Sequence, residues 1–393
     1  MKQTKLSVAL SLELTLLVIV VASITQAQTR QTANIDSGEL YLIVKNGRFG
    51  FVDGRGRVVI GPQYRLAAPF SEGLAAVIVL GKRNQALLAF IDRKGRMAVR
   101  PFDGSGTKFS SGVANVLMGA NYVYIDKHGK RVTRFYQWAE DCTEGLCAVE
   151  MERLGPKRWG FINTSGAVIV KGQYDWAHPF REGFARVAIM IGAPYEKNGA
   201  PAVDLKAGYI DRTGKPITPL QFDRAWDFSN GMAQVELKGK GGYIDKTGRL
   251  VISYQYDETH AFQEGLGGVK VNGLWGFIDK TGKLVMPPQF EYVNDFSEGL
   301  AAIGRHGENL YIDHDGKVVL SPPFKSLGPF RDGLATFRVD DKAGVLNKAG
   351  KIVLEAQFAF VEILSGGVIR VEDPKKGIGY ADRTGRFFWP PTY

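Results

Sequence analysis

The 393-residue chain has two cysteines and five histidines, and neither set carries a metal-site signature. Cys142 and Cys147 stand five residues apart in Asp-Cys-Thr-Glu-Gly-Leu-Cys, which is too few ligands at the wrong spacing for structural zinc. His128, His178, His260, His306 and His314 are scattered, with no His-Glu-x-x-His pair. There is no Gly-x-Ser-x-Gly elbow and no P-loop, and Gly239-Lys240-Gly241-Gly242 reads as a hairpin turn. No catalytic residue, metal or cofactor is therefore expected, although a Ser-His-Asp set assembled in space is left open. Beyond the N-terminal segment no apolar run reaches the ~18 residues of a membrane helix, which excludes a multi-span helical protein.

What is present points to β-structure. Apolar residues make up 45% and charged residues 23%, close to the soluble average, which excludes wholesale disorder and collagen. The 48 glycines beside 23 Phe and 15 Tyr describe short strands joined by tight turns, because glycine supplies the positive φ that such turns need.

Lys2 and Lys5, the apolar run Leu14 to Ala22 and Thr25-Gln26-Ala27 read as a signal peptide over residues 1–27, with the mature chain at 28–393. An uncleaved anchor would bury Glu13 in the bilayer. Membrane contact is expected only in that case, and the protein is read as exported: periplasmic, extracellular or on the cell surface. In an oxidising compartment Cys142 and Cys147 can form a disulfide, and otherwise they are small buried residues. The net charge is +10, and the basic residues are read as spread by a repeat rather than clustered, which argues against a nucleic-acid partner.

One phrase is written about ten times. Trp275-Gly276-Phe277-Ile278-Asp279-Lys280-Thr281-Gly282-Lys283-Leu284-Val285 is followed by Pro288-Gln289-Phe290 and Phe296-Ser297-Glu298-Gly299-Leu300. Its Asp or Asn recurs at Asp53, Asp92, Asp126, Asn163, Asp211, Asp245, Asp279, Asp313, Asn347 and Asp382, and the four spacings from Asp211 to Asn347 are 34 residues each. Each copy has a glycine three residues on, so a turn role explains the Asp. Asp313-His314-Asp315-Gly316 lacks the later bidentate Glu of a calcium loop.

This phrase resembles the bacterial WG-repeat family, whose units carry Trp-Gly, an aromatic, Ile and Asp, then a Gly-Lys turn. The resemblance covers essentially everything after the N-terminal segment and implies an exported or surface repeat protein. Trp-Gly itself survives only at Trp159-Gly160 and Trp275-Gly276, while Leu88-Ala89, Tyr122-Val123 and Asn309-Leu310 lose both residues.

Each unit reads as an antiparallel meander: strand a after Glu-Gly, strand b through aromatic-Ile-Asp, strand c after the Asp-x-x-Gly turn, and a short strand d that carries the chain back. The expectation is a single all-β array of about ten 34-residue units, with a propeller-like ring favoured and an open β-solenoid as the alternative. Residues 28–36 could then supply the missing strand at the junction of the two ends. The Arg and Lys of the b–c turns and the Glu before strand a fall at one end of the meander and are expected to form interleaved salt bridges.

Trp138 and Trp176 share a repeat position that other units fill with Leu66, Arg224, Glu258 and Tyr292, so the position is expected to be exposed. The unit between Asn163 and Asp211 carries 14 extra residues in the a–b loop, with Tyr195 among them. Trp138, Trp176 and Tyr195 form the candidate ligand ledge, since paired aromatics offer apolar faces to sugar rings or peptide side chains. The alternative is that both tryptophans pack between units. The leading functional expectation is a non-catalytic binding or scaffold module of the cell envelope, with an envelope protein as partner. Glycan or cell-wall binding through the ledge comes second, and an enzyme assembled from several units third.

Overall fold

Strand b of each unit carries the packing. In Leu274–Asp279 the residues from Trp275 to Ile278 are all buried, and the strand ends where the Asp279 carboxylate accepts turn amides. The computed structural model describes residues 38–106, 108–151, 158–197 and 200–392. The expected signal segment 1–27 and the closing segment 28–36 lie outside the described residues.

Ten small antiparallel sheets follow one another, with a single 3-10 turn at Ser365–Gly367 as the only helical element among the described residues. A complete sheet has the order d-a-b-c, as in Glu258–Thr259, Leu266–Val271, Leu274–Asp279 and Leu284–Phe290. The sequence expectation is refined here. Strand d was placed with the strand c before it, but it pairs with the strand a that follows it, Glu258 against Lys270 and Thr259 against Val269. After strand c the chain crosses over, so each d stitches one unit to the next.

The aromatic of strand b then meets the Phe just before the following strand a. Phe90–Phe109, Phe161–Phe180, Tyr243–Phe262, Phe277–Phe296 and Tyr311–Phe330 all have ring centroids 4.7 to 4.9 Å apart. Tilted and edge contacts of this kind add about 1 kcal/mol each beyond the burial of area.

Among the described residues two compact units are distinguished by their internal contacts: one from residues 38–142, 164–166 and 364–392, the other from residues 143–163 and 167–363. Within the second, the sheets from Leu146 to Asn347 stack in chain order through the aromatic contacts above. Within the first, Tyr41, Ile43 and Val52 pack with Leu364, Val368 and Tyr380, and Tyr380 donates its hydroxyl to Leu42 O at 2.7 Å. The beginning and the end of the repeat array thus meet, as a propeller-like closure requires and an open solenoid does not.

The glycine of the Trp-Gly pair has a structural reason that its sequence context left unstated. In the seventh sheet Trp275 pairs with Phe290 and Phe277 with Met286, so Pro287, Pro288 and Gln289 form a bulge opposite the single residue Gly276. The bulge folds onto the glycine: a Cβ there would stand 2.5 Å from Met286 O and 2.7 Å from Pro288 N. Gly50, Gly160 and Gly242 meet strand c at 2.4 to 2.6 Å in the same way, and Gly208 meets Pro219 O of the irregular segment in its place at 2.6 Å.

Candidate functional site

The recurring Asp is engaged in its own turn. Asp279 Oδ1 accepts from Thr281 N (2.8 Å), Thr281 Oγ1 (2.6 Å) and Lys283 N (3.1 Å), Asp211 does the same, and Asp53 Oδ1 accepts from the two turn amides of Arg55 and Arg57. Asp313 likewise accepts from Asp315 N and Lys317 N, as a turn residue does. The Thr281 hydroxyl, more than any other partner, holds the Asp279 carboxyl below the usual carboxylate range, and the Thr213 and Thr247 hydroxyls do so for Asp211 and Asp245. Among the described residues no three His, Cys, Asp or Glu side chains come together in a metal-binding group. His260 packs on Trp275, with ring centroids 4.3 Å apart, beside Asp295. His314 stacks on Phe296, and its Nε2 stands 3.4 Å from Glu264, too far for a well-formed hydrogen bond.

The Glu before strand a has a second role beside the expected ion pair. Its φ is near 50°, and the carboxylate reaches the matching turn of the next unit: Glu264 accepts from Glu298 N (2.6 Å) and Gly299 N (2.9 Å), and Glu182 from Asn230 N (2.8 Å) and Gly231 N (3.0 Å). The b–c cation of that next unit then closes on it, as Lys246 on Glu182 (3.1 Å), Lys127 on Glu72 (3.3 Å) and Lys348 on Glu298 (3.2 Å). These cations are 41 to 47% exposed, so the ion pair contributes little and the charge-assisted amide bonds contribute more. Glu264→Gln is expected to lower stability by about 1 kcal/mol, against less than about 0.5 kcal/mol for Lys246→Met, measured by urea unfolding. Equal losses would refute this division.

The aromatic ledge residues fall in different surroundings. Trp138 is 50% exposed and stacks on Tyr122 at 5.9 Å, in a stretch where Arg131 lies over Phe135 and Arg134 over Tyr136. Trp176 is 39% exposed and begins the short strand Trp176–Ala177, paired with Ala188. The 14 extra residues extend a hairpin rather than forming a loop: Phe184–Lys197 runs against Ala200–Asp211, with Tyr195 paired to Ala202. Tyr195 faces Ala202, five residues along the partner strand from the Ala207 that faces Ala188, a height of about 17 Å, so the backbone sets it well away from Trp176. Both cysteines are buried and disulfide-bonded.

A family model described as "WG containing repeat" matches residues 49–82, 159–189, 208–240, 242–275, 275–305, 311–342 and 344–373, more than half of the chain. No curated protein matches the sequence. Among solved structures, one titled as the crystal structure of the eukaryotic initiation factor is similar at 12% identity and a TM-score of 0.49, covering 89% of this chain and 94% of that one. The extracellular domain of the putative hybrid two component system BT3049 from B. thetaiotaomicron is similar at 10% identity and a TM-score of 0.28, covering 89% of this chain and 55% of that one. A putative TolB from Agrobacterium tumefaciens is similar at 12% identity and a TM-score of 0.27, covering 45% and 74%.

Proposed function

Because the chain belongs to the WG containing repeat family, we propose that it is a non-catalytic binding or scaffold module that acts outside the cytoplasm, at the cell envelope. The observation that carries this reading is how the repeat uses its polar groups. The turn Asp and the Glu before strand a, the residues a catalytic site would draw on, are engaged by backbone amides within and between units. What varies from unit to unit is the side chain at the repeat position of Trp138, exposed at Trp138, Trp176, Arg224 and Glu258 and half-buried at Leu66 and Tyr292, so the units differ in what they offer a partner and agree in how they fold. The disulfide and the N-terminal segment support an oxidising, extracytoplasmic setting. An envelope protein is the partner class that follows.

A second reading, glycan or cell-wall binding through Trp138 and Trp176, is favoured by the exposure of both indoles and by the Tyr122 ring backing the first. The test is binding of the purified chain to peptidoglycan and a glycan array, beside a Trp138→Ala, Trp176→Ala variant. Loss of about tenfold or more in the variant with an unchanged melting temperature is the result expected for a ledge. A collapse in melting temperature would make both residues structural, and no binding by the parent would leave the protein-scaffold reading alone.

A further inference from the structure

The net charge of +10 lies in one part of the molecule. The compact unit of residues 38–142, 164–166 and 364–392 holds 21 Lys and Arg against 11 Asp and Glu, while the other, residues 143–163 and 167–363, holds 26 against 27. The first three sheets of the basic unit stack with like ends together. Arg93, in the second b–c turn, donates to Gly38 O (2.6 Å) just before the first strand a. Lys127, in the third b–c turn, closes on Glu72 (3.3 Å), which also accepts from Gly112 N (3.0 Å). The a–b turns of these sheets therefore lie together at the opposite end, which carries Lys45, Arg48, Lys82, Arg83 and Arg100, with Asp103 as the acid among them. All five cations are exposed, and among the described residues none of them forms an ion pair.

Large apolar side chains are exposed at the same end. Leu80, the last residue of the second strand a, is 43% exposed, Phe135 46% and Trp138 50%. Phe135 and Trp138 flank Tyr136, which bridges to Tyr122 at the start of the third strand b and so marks the a–b end. The Tyr122 ring stacks on Trp138, and the Arg131 guanidinium lies 5.1 Å from the Phe135 ring centroid. In five sheets with a complete strand c the residue before its last is glutamine, at Gln63, Gln173, Gln255, Gln289 and Gln357. The third sheet puts Phe135 at that place, beside the bridge residue Tyr136.

We propose that this end of the first three sheets docks on an anionic phospholipid bilayer, with Leu80, Phe135 and Trp138 entering the headgroup layer and the five cations facing the lipid phosphates. Stable attachment to a bilayer surface takes two signals, apolar insertion and basic charge, because either alone is weak and reversible. Both occur here on one end of one compact unit, while the other compact unit carries almost no net charge. A soluble polyanion would engage the cations and leave Leu80 and Phe135 in water, whereas the headgroup layer takes up aromatic and aliphatic carbon beside Lys and Arg. The contact is separate from the N-terminal segment. It rests on the reading of the chain as a binding module of the cell envelope and gives Trp138 a lipid surface rather than a sugar.

The experiment is co-sedimentation with vesicles of phosphatidylcholine, alone or mixed with phosphatidylglycerol. It uses the full chain and a chain beginning at Gln28, which keeps every described residue and lacks the apolar N-terminal run. Both should bind the phosphatidylglycerol vesicles, more weakly as salt rises, and leave phosphatidylcholine alone. The Lys82→Glu, Arg83→Glu and the Phe135→Ser, Trp138→Ser variants change exposed side chains, so each should keep the melting temperature and lose roughly tenfold or more in binding. Trp176→Ala should bind as the parent does. Four results would each overturn the lipid face: equal binding to phosphatidylcholine, either double variant binding as the parent does, binding by the full chain alone, or tighter capture of polygalacturonate or an oligodeoxythymidylate than of vesicles. Absence of vesicle binding in a chain that still binds peptidoglycan or a glycan array would overturn it too, and leave the binding-module reading in place.

Discussion

Gly276→Val is expected to destabilise the protein by about 3 kcal/mol or more and to detach strand c from its sheet. The substitution would place side-chain carbon where Met286 O and Pro288 N already stand, 2.5 and 2.7 Å from the new Cβ. Backbone atoms of a bulge cannot swing aside as the tip of a flexible side chain can, so the bulge itself must move. The chain contains its own controls. Where Ala89 holds this place, the bulge is one residue shorter: Leu88 pairs with Phe102, 14 positions on, whereas Trp275 pairs with Phe290, 15 on. Where Val123 holds it, strand c is reduced to the isolated bridges Tyr122–Tyr136 and Ile125–Arg131. Where Leu310 holds it, strand c shrinks to Val318–Leu320 and pairs only with Tyr311 and Ile312. The fifth sheet keeps Gly208 and still lacks a regular strand c, for a different reason: Pro216 and Pro219 remove two ladder donors. Gly61→Ala is the comparison variant, since nothing lies within 4 Å of its added carbon, and it should change stability by less than about 0.5 kcal/mol. Hydrogen exchange should show residues 284–290 losing protection in Gly276→Val. A variant that unfolds like the parent, with those amides still protected, would mean the close approach is not what selects glycine.

The three long strands of each unit were legible because each has a local signature. Asp279-x-x-Gly282 marks the b–c turn through hydrogen bonds made within five residues, and Asn46-Gly47 marks the a–b hairpin with two consecutive positive φ values. Strand d has no such signature. Its two residues, such as Glu258–Thr259, take their sheet from whichever strand a offers a free edge, and that is a property of the neighbour rather than of the segment. The inserted stretch after Asn163 reads as a loop from its length, yet it continues both strands of a hairpin. Of the candidate site, the exposure of Trp138 and Trp176 followed from the variability of their repeat position, whereas the height of Tyr195 followed only from the register of the hairpin. The cations of the first three sheets read as spread by the repeat, because only the stacking of the sheets, seen in Arg93 on Gly38 and Lys127 on Glu72, shows which turns share an end.

Repetition also turns a small local effect into a large one at low pH. Among the described residues, nine carboxyl groups are held below their ordinary range: Asp53, Asp92, Glu182, Asp211, Asp223, Asp245, Asp257, Asp279 and Asp382. Glu140 alone is displaced upward, by burial first and the nearby Asp141 second, so the net direction is set by the nine. The leading cause is the Thr hydroxyl at Asp211, Asp245 and Asp279, and the Lys206 and Lys240 ammonium groups at Asp223 and Asp257. At Glu182 burial acts most strongly and in the opposite sense, and Lys246 with the amides of Gly231 and Asn230 together outweigh it. A carboxyl whose native pKa lies below its unfolded value takes up its proton first in the unfolded chain. The stability it contributes is complete above about pH 4 and is lost as pH falls through the native value. Each group is largely solvated and contributes little alone. Because neighbouring repeats share interfaces within each compact unit, however, the losses add there, and the melting temperature at pH 3 is expected to lie about 10 °C or more below that at pH 7. Asn163 and Asn347 show how to separate charge from turn geometry: Asn347 Oδ1 accepts from Ala349 N and Lys351 N at 3.0 Å, as an Asp does, with nothing to titrate. Replacing Asp211, Asp245 and Asp279 together with Asn should therefore lower the melting temperature at pH 7 by the share of the acid fall that these three carboxylates carry, and flatten the fall toward pH 3 by the same share. An acid profile as steep as the parent's would show that these three turn carboxylates are not its source and shift the cause to the other six groups, Glu182 among them.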